Sequence, residues 1–120
     1  MTKKILIADD SLFMRTILKD ILSDQYTIIE AQSGSQAEEK FKKEEPDLVL
    51  LDIIMPGGEE EGIKVLQKIR KANPKAKVVM ISAVGQDAIV NECKKLGALD
   101  FIIKPFDREE VIKVAQKYID

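Results

Sequence analysis

The stretch Leu48-Val49-Leu50-Leu51-Asp52 places a fully apolar run directly before an acidic residue. A run without polar alternation is typical of a strand that is covered on both faces, as strands of parallel sheets are. The segment Pro56-Gly57-Gly58 follows closely and indicates a loop. We therefore predict a short central strand over 48–51, with Asp52 at its carboxyl end.

Short apolar runs alternate with longer amphipathic stretches on both sides of this strand, beginning with Ser11 as the N-cap of a first helix. The predicted strands cover 4–8, 26–31, 48–51, 78–81 and 101–103, and the predicted helices cover 12–22, 35–43, 62–72, 86–95 and 107–118. This alternation predicts an α/β fold of the (βα)₅ type, a doubly wound five-stranded parallel sheet with helices on both faces.

Local patterns predict where individual helices begin and end. Ser35 followed by Glu38 has the spacing of a capping box, and Asp107 with Glu110 repeats it before the last helix. Gly97 is a natural residue to follow the end of the fourth helix, because glycine readily adopts a left-handed backbone.

Length and composition exclude several functional classes. The 120 residues suit a single domain over 1–120 without an attached output domain, so any effect has to pass through a partner. The net charge of −2, without a basic block or Trp, argues against nucleic-acid binding. The absence of His excludes a Ser-His-Asp triad and the usual zinc sites, and the single Cys93 is interpreted as a small helix residue rather than a redox group.

The amino-terminal apolar stretch, 5–8, is too short for a signal peptide or a membrane span. We therefore expect a cytoplasmic protein without membrane association.

Polar residues follow four of the predicted strands. They are Asp9 and Asp10, Asp52, Ser82 and Lys104. Each has an ordinary explanation when taken alone, since the acidic pair can cap a helix, Asp52 and Ser82 can begin turns, and a lysine is usually solvated. Because ligands bind at the carboxyl ends of parallel strands, the five side chains are expected to share one edge of the sheet.

Three converging carboxylates repel one another unless a cation lies between them. Mg²⁺ prefers carboxylates and water as ligands, so the pattern predicts a magnesium site, which Mn²⁺ can also fill. A carboxylate can attack phosphorus and form an acyl phosphate, while Lys104 and Ser82 stabilise the oxygens of the phosphoryl group. The residues therefore indicate phosphoryl transfer to Asp52.

With these residues at these strand ends, the whole chain resembles the receiver domain of two-component response regulators. That family has an acidic pair after the first strand, an acceptor Asp after the third, Ser or Thr after the fourth and Lys-Pro after the fifth. All of these positions are filled here, by Asp9-Asp10, Asp52, Ser82 and Lys104-Pro105. The stretches ADDSLFMR, SAVGQDAIV and LDFIIKPF resemble single-domain chemotaxis regulators of the CheY type, which implies the flavodoxin-like strand order 2-1-3-4-5.

The resemblance implies a role for each matching residue. Asp52 is the phospho-acceptor, and Lys104 pairs with the phosphoryl group. Asp10, Asp52 and the backbone carbonyl of Ile54 ligate Mg²⁺ directly, with Asp9 acting largely through water.

Further roles concern switching. The Lys104–Pro105 bond is implied to be cis. After phosphorylation, Ser82 moves toward the phosphate and Phe101, the switch aromatic, turns inward to fill the vacated space.

The sequence departs from the family pattern in three places. Phe101 lacks the hydroxyl that chemotaxis regulators often carry there. The Gly57–Glu61 loop is about two residues longer than usual; its glutamates favour the positive end of the next helix dipole, or else alter access to the acyl phosphate. Ile54 and Val84 flank the site where many relatives have polar side chains, and we predict that they exclude attacking water and slow loss of the phosphoryl group.

Three alternatives compete with a phospho-switch. A phosphohydrolase of the HAD type would carry two Asp one residue apart after its first strand, whereas Asp9 and Asp10 are adjacent. A degenerate receiver used only for binding usually lacks an acidic residue or the lysine. A flavin-binding flavodoxin would have a phosphate-binding loop after its first strand. We therefore expect a switch that catalyses only its own phosphorylation and dephosphorylation, not an enzyme with a separate substrate.

The resemblance also implies partners. A histidine kinase supplies the phosphoryl group, since the chain has no His of its own. A motor, an adaptor or another target protein contacts the face formed by the fourth helix, fifth strand and fifth helix, and a phosphatase is a further partner class. The mixed charge of this face does not name the target.

Overall fold

The computed structural model describes residues 2–120 as alternating strands and helices, so the predicted (βα)₅ order is confirmed. The strands are β1 (Lys4–Ala8), β2 (Thr27–Ala31), β3 (Leu48–Leu51), β4 (Val78–Ser82) and β5 (Asp100–Ile103). The helices are α1 (Leu12–Leu22), α2 (Gly34–Glu44), α3 (Glu61–Ala72), α4 (Asp87–Lys95) and α5 (Arg108–Ile119).

The five strands form one parallel sheet in the order β2-β1-β3-β4-β5, as the resemblance implied. Ala8 of β1 pairs with Leu51 of β3, so the residues that follow these two strands emerge side by side. At the other side of the sheet Ser82 of β4 pairs with Ile103 of β5, directly before Lys104. The register therefore brings the polar strand ends to one edge.

Apolar side chains pack on both faces of the sheet. Leu6 and Leu51 belong to the core under α2, α3 and α4, whereas Ile5, Ile7 and Leu50 belong to the core under α1 and α5. Because successive side chains of a strand point to opposite faces, a strand with cores on both faces is apolar throughout. This explains the unbroken apolar run over 48–51.

The predicted capping box at Ser35 is wrong. The N-cap of α2 is Ser33, whose extended backbone (φ −152°, ψ 167°) lets its side chain accept a hydrogen bond from the Gln36 N–H. The helix begins at Gly34, where an added Cβ would lie 2.6 Å from a Glu61 carboxylate oxygen. Ser35 is thus already inside the first turn.

The second capping box is only half right. Asp107 is the N-cap of α5, but its side chain accepts no capping hydrogen bond. Its main-chain carbonyl accepts the Glu110 N–H instead, at 3.1 Å. The predicted role of Gly97 is confirmed, because it follows α4 with a positive φ of 105°.

Helix α3 begins in close contact with the end of β3. The Gly62 N–H donates to the Ile53 carbonyl at 2.7 Å. A Cβ at position 62 would overlap the carbonyl oxygen of Asp52, so only glycine fits. Within 2–120, none of the helices has both the length and the apolarity to cross a membrane.

Candidate functional site

The first acidic pair lies in the turn between β1 and α1. The Asp9 N–H donates to the Ala31 carbonyl at 3.0 Å, which continues the ladder to β2. Asp9 Oδ1 accepts the Ser11 N–H at 2.9 Å, and Ser11 Oγ accepts the Met14 N–H at 3.2 Å, so Ser11 caps α1 as predicted. Asp9 is 2% exposed, whereas Asp10 lies open to solvent.

Asp52 lies next to this pair because β3 neighbours β1. Its N–H donates to the Ala8 carbonyl at 2.9 Å, one step beyond the last paired residues. Asp9, Asp10 and Asp52 each offer a carboxylate oxygen, and the three oxygens lie within 4.8 Å of one another. The structure thus brings together the three carboxylates that the sequence singled out.

Lys104 supplies the positive charge of the cluster. Its Nζ donates to Asp9 Oδ2 at 2.7 Å and to Asp52 Oδ2 at 3.2 Å. Its main-chain N–H donates to the Ser82 carbonyl at 2.9 Å, which anchors the residue after β5 leaves the sheet. The Lys104–Pro105 peptide bond is cis. The ammonium group therefore bridges the acidic turn and Asp52.

This arrangement raises the pKa values of both Asp52 and Lys104. Burial raises the pKa of Asp52, and the charge of Asp9 adds to that rise, while Lys104 and the hydroxyl of Ser82 oppose it; the net direction is upward. Burial lowers the pKa of Lys104, but its hydrogen bond to Asp9 and the charges of both carboxylates raise it by more. Lys104 is therefore held in its charged form, and its positive charge partly compensates the two neighbouring carboxylates.

Ser82 completes the cluster from β4. It is 1% exposed, and its Oγ accepts the Val84 N–H at 3.3 Å. The hydroxyl hydrogen stays available for another acceptor, because a hydroxyl both donates and accepts. Ser82 therefore presents a donor to the side of the cluster opposite the acidic pair.

The donor set fits a hard divalent cation. The three acidic side chains offer only oxygen ligands, and Asp10 keeps one side of the cluster open to water. Mg²⁺ takes carboxylates and retains several waters, whereas zinc favours His and Cys. The residues present are thus compatible with magnesium.

Comparison with known proteins agrees with this geometry. Residues 5–116 match the response regulator receiver domain. The chain is 42% identical over 122 residues to the chemotaxis protein CheY of Bacillus subtilis, covering 100% of both chains. It is 45% identical over 119 residues to CheY of Thermotoga maritima, covering 98% of each.

The chain belongs to the response regulator receiver domain family, the phospho-acceptor switches of two-component signal transduction. Among solved structures, it is similar to a CheX–CheY–BeF₃–Mg²⁺ complex from Borrelia burgdorferi, with a TM-score of 0.90 and 37% identity. That match covers 98% of this chain and 90% of the other. The receiver fold is therefore reproduced over almost the whole length.

The receiver domain has a groove of mixed polarity on the loops that follow β3 and β4. Ile54 is 44% exposed and lines a groove of about 380 Å³ together with Val84. The remaining lining residues are Glu59, Glu60, Gln86 and Ile89. Ile54 and Val84 follow Asp52 and Ser82 at the same interval of two residues, on the loops that leave β3 and β4.

The glutamates of the Gly57–Glu61 loop lie in different surroundings. Glu61 lies in the first turn of α3, and its carboxylate also lies beside Gly34 at the beginning of α2. This agrees with a helix-dipole role for Glu61, because helix N-termini favour negative charge. Glu59 and Glu60 instead line the groove beside Ile54.

Phe101, the predicted switch aromatic, lies apart from the cluster. Phe101 pairs with Met80 in the sheet and is half-buried against the core under α2, α3 and α4. Ser82 lies two residues beyond Met80, so it shares that face of the sheet. Phe101 thus lies two residue pairs below Ser82 in the register, on the same face of the sheet.

Sequence reasoning missed one residue of this region, Arg15. It is 9% exposed, and its Nη1 donates to the main-chain carbonyl of Asp9 at 2.8 Å. The available signal was its spacing, since Arg15 stands three residues before Leu18 and seven before Leu22 on the buried face of α1. A charged residue on that stripe has to find a partner inside.

Proposed function

We propose that this receiver domain is a chemotaxis phospho-acceptor switch in which Asp52 receives a phosphoryl group from a histidine kinase. The strongest support is the carboxylate cluster itself, with Lys104 Nζ between Asp9 and Asp52. Such a site binds a cation and an oxyanion together, which is what transfer to a carboxylate requires.

The chemical step is a displacement at phosphorus. An Oδ atom of Asp52 forms a bond to the phosphorus of a phosphohistidine. The P–N bond breaks, and its electron pair remains on the imidazole, which leaves neutral when its other nitrogen carries a proton. The products are an acyl phosphate on Asp52 and an unmodified histidine on the kinase.

The residues that would hold the metal are Asp10, Asp52 and the Ile54 carbonyl, with Asp9 acting through water. When bound, Mg²⁺ neutralises charge on the phosphoryl oxygens. Mn²⁺ is expected to substitute for it. Asp10 is the natural first ligand, since its side chain is already exposed to solvent.

Lys104 and Ser82 have separate roles in this proposal. Lys104 Nζ leaves Asp52 and pairs with a phosphoryl oxygen, while its contact with Asp9 keeps it in place. Ser82 donates its hydroxyl hydrogen to another phosphoryl oxygen. Phe101 then turns inward beside the displaced Ser82, which changes the surface formed by α4, β5 and α5.

The partners follow from that surface and from the relatives. We propose that a motor, adaptor or other target protein reads the α4-β5-α5 face, where Ile103 is 48% exposed. The CheY relatives support chemotaxis as the pathway, and the CheX–CheY complex of B. burgdorferi supports a further protein partner. We propose a phosphatase as one class of such a partner. Because kinases are phosphorylated from ATP, we propose the cytoplasm as the compartment.

The proposal is tested by incubating the protein with Mg²⁺ and acetyl phosphate and measuring intact mass. Wild type is expected to gain one phosphoryl adduct, whereas Asp52→Asn and wild type with EDTA gain none. An adduct formed equally by Asp52→Asn would overturn the assignment. Steady turnover of phosphomonoesters would instead indicate an enzyme with a separate substrate.

A further inference from the structure

Arg15 is a buried charge that the proposed chemistry does not use. It lies on the face of α1 that packs on the sheet and is 9% exposed. A buried guanidinium is costly unless its N–H groups find acceptors. Its partners therefore indicate what it does.

Two acceptors hold Arg15. Nη1 donates to the main-chain carbonyl of Asp9 at 2.8 Å, and Nε donates to Glu30 Oε1 at 3.1 Å. The second oxygen of Glu30 lies 3.7 Å from Lys19 Nζ. Glu30 belongs to β2, so Arg15 links α1, the neighbouring strand and the turn that carries the acidic pair.

The carbonyl that Arg15 binds belongs to the Asp9–Asp10 peptide. The Asp9 side chain is held independently, by Ser11 and Lys104. Asp10 has no such support, because no hydrogen bond within residues 2–120 holds its side chain. A peptide group is planar, so fixing the Asp9 carbonyl also fixes the direction in which the chain enters Asp10.

We propose that Arg15 is a positioning residue for the carboxylate of Asp10, with Glu30 holding the guanidinium in place. This inference rests on the proposed function, in which Asp10 is a metal ligand. Groups that orient metal ligands through hydrogen bonds affect metal affinity by about 10- to 100-fold when they are removed. Arg15 therefore contributes to affinity for Mg²⁺ and Mn²⁺ without touching the ion.

The test is Arg15→Gln, with Arg70→Gln as its matched control. Arg70 Nη1 also donates to a main-chain carbonyl, that of Ala76 at 2.9 Å, but near the C-terminal end of α3 and the opposite edge of the sheet. Mn²⁺ affinity is measured by electron paramagnetic resonance, and folding by circular dichroism and thermal unfolding. Arg15→Gln is expected to lose about tenfold in affinity, while Arg70→Gln loses none.

A kinetic readout separates positioning from general damage. Labelling by acetyl phosphate in Arg15→Gln should need about tenfold more Mg²⁺ for half its maximal rate, yet approach the wild-type rate at saturating Mg²⁺. A lower maximal rate with unchanged Mg²⁺ dependence would overturn the proposal. So would equal metal affinities in Arg15→Gln and Arg70→Gln.

Two further variants keep the inference testable if Arg15→Gln does not fold, and they test the geometry of the guanidinium contacts. Glu30→Met removes one acceptor of Arg15 and is expected to weaken Mn²⁺ binding several-fold. Arg15→Lys keeps the charge but cannot span both acceptors with a planar fork, so it should also bind Mn²⁺ more weakly than wild type. Should Arg15→Gln not fold, wild-type affinity in Glu30→Met overturns the inference. Failure of wild type itself to bind Mn²⁺ would instead refute the proposed function.

Discussion

At the scale of single residues, the charge state of Asp52 decides when it can act as a nucleophile. Its pKa is raised, mainly because the carboxyl group is buried and secondarily because Asp9 lies beside it. Lys104 opposes the rise but is shared between two carboxylates. The charged form of Asp52 therefore carries a cost in stability, and a bound cation relieves that cost.

A stability prediction follows from the sign of this shift. A carboxyl group whose pKa is higher in the folded state destabilises the fold above that pKa and has no such effect below its unfolded pKa. Asp52→Asn should therefore raise the melting temperature at pH 7 without metal, and this gain should disappear as pH falls below the ordinary Asp range. Thermal unfolding across that pH range checks it, with the exposed Asp24→Asn as control. A lower melting temperature of Asp52→Asn at pH 7 would contradict the account.

A second prediction at the scale of single residues concerns Ile54 and Val84. Their apolar side chains line one groove on the loops that directly follow Asp52 and Ser82, and we expect them to hinder an attacking water. Changing both to Asn should speed loss of the phosphoryl group on the order of tenfold, measured as phosphate release. Leu99→Asn is the control, because Leu99 is 39% exposed but lies beyond the other end of β5. An unchanged rate in the double variant would refute water exclusion.

The convergence of the site's polar side chains at one sheet edge was predictable, because polar residues mark the ends of the strands. The sharing of Lys104 between Asp9 and Asp52 was not, since it depends on side-chain distances that no spacing in the sequence encodes. Arg15 was missed for a related reason: its partners, a main-chain carbonyl and Glu30 on another strand, are brought to it only by tertiary packing.

At the scale of elements, the junction between β3 and α3 depends on Gly62. Gly62→Ala should destabilise the fold by about 2 kcal/mol or more, because the added methyl group meets the Asp52 backbone. Gly85→Ala is a suitable control, since its methyl group would meet the end of the flexible Ile103 side chain. Urea unfolding of both variants checks the difference. Equal losses of stability would contradict this account of the junction.

The sequence predicted the existence of the helices and strands more accurately than it predicted the residues that cap the helices. The apolar periods of α1 and the run over 48–51 reflect burial, which tertiary structure preserves. Capping depends on the backbone angles of the N-cap residue, whereas several nearby Ser or Asp residues carry a side chain that can accept the capping hydrogen bond. Ser33 and Ser35 both had suitable side chains, and only the extended backbone of Ser33 decided between them.

At the scale of the whole molecule, the parallel sheet and the site are consequences of one topology. Each strand crosses the molecule in the same direction, so residues distant in sequence, such as Asp9 and Lys104, end at the same edge. The alternation of strands and helices was sufficient to predict the sheet and its covered faces. The order of the strands came from the family resemblance, because alternation alone allows more than one order.

Metal binding should be visible as a change in global stability. A ligand that binds only the folded state at 100 times its Kd stabilises it by about 2.7 kcal/mol. Saturating Mg²⁺ should therefore raise the melting temperature of wild type relative to EDTA, and Asp10→Asn should lose most of this increase. Differential scanning calorimetry provides the measurement. An equal increase in both proteins would place the metal elsewhere.

The most direct test of the central claim is to identify the residue that carries the phosphoryl group. Borohydride reduces an aspartyl phosphate to homoserine, so the modified position is readable by peptide mass spectrometry. After incubation with Mg²⁺ and acetyl phosphate, the account predicts homoserine at position 52 and at neither 9 nor 10. Homoserine at position 9 or 10, or none in folded, metal-bound protein, would contradict it.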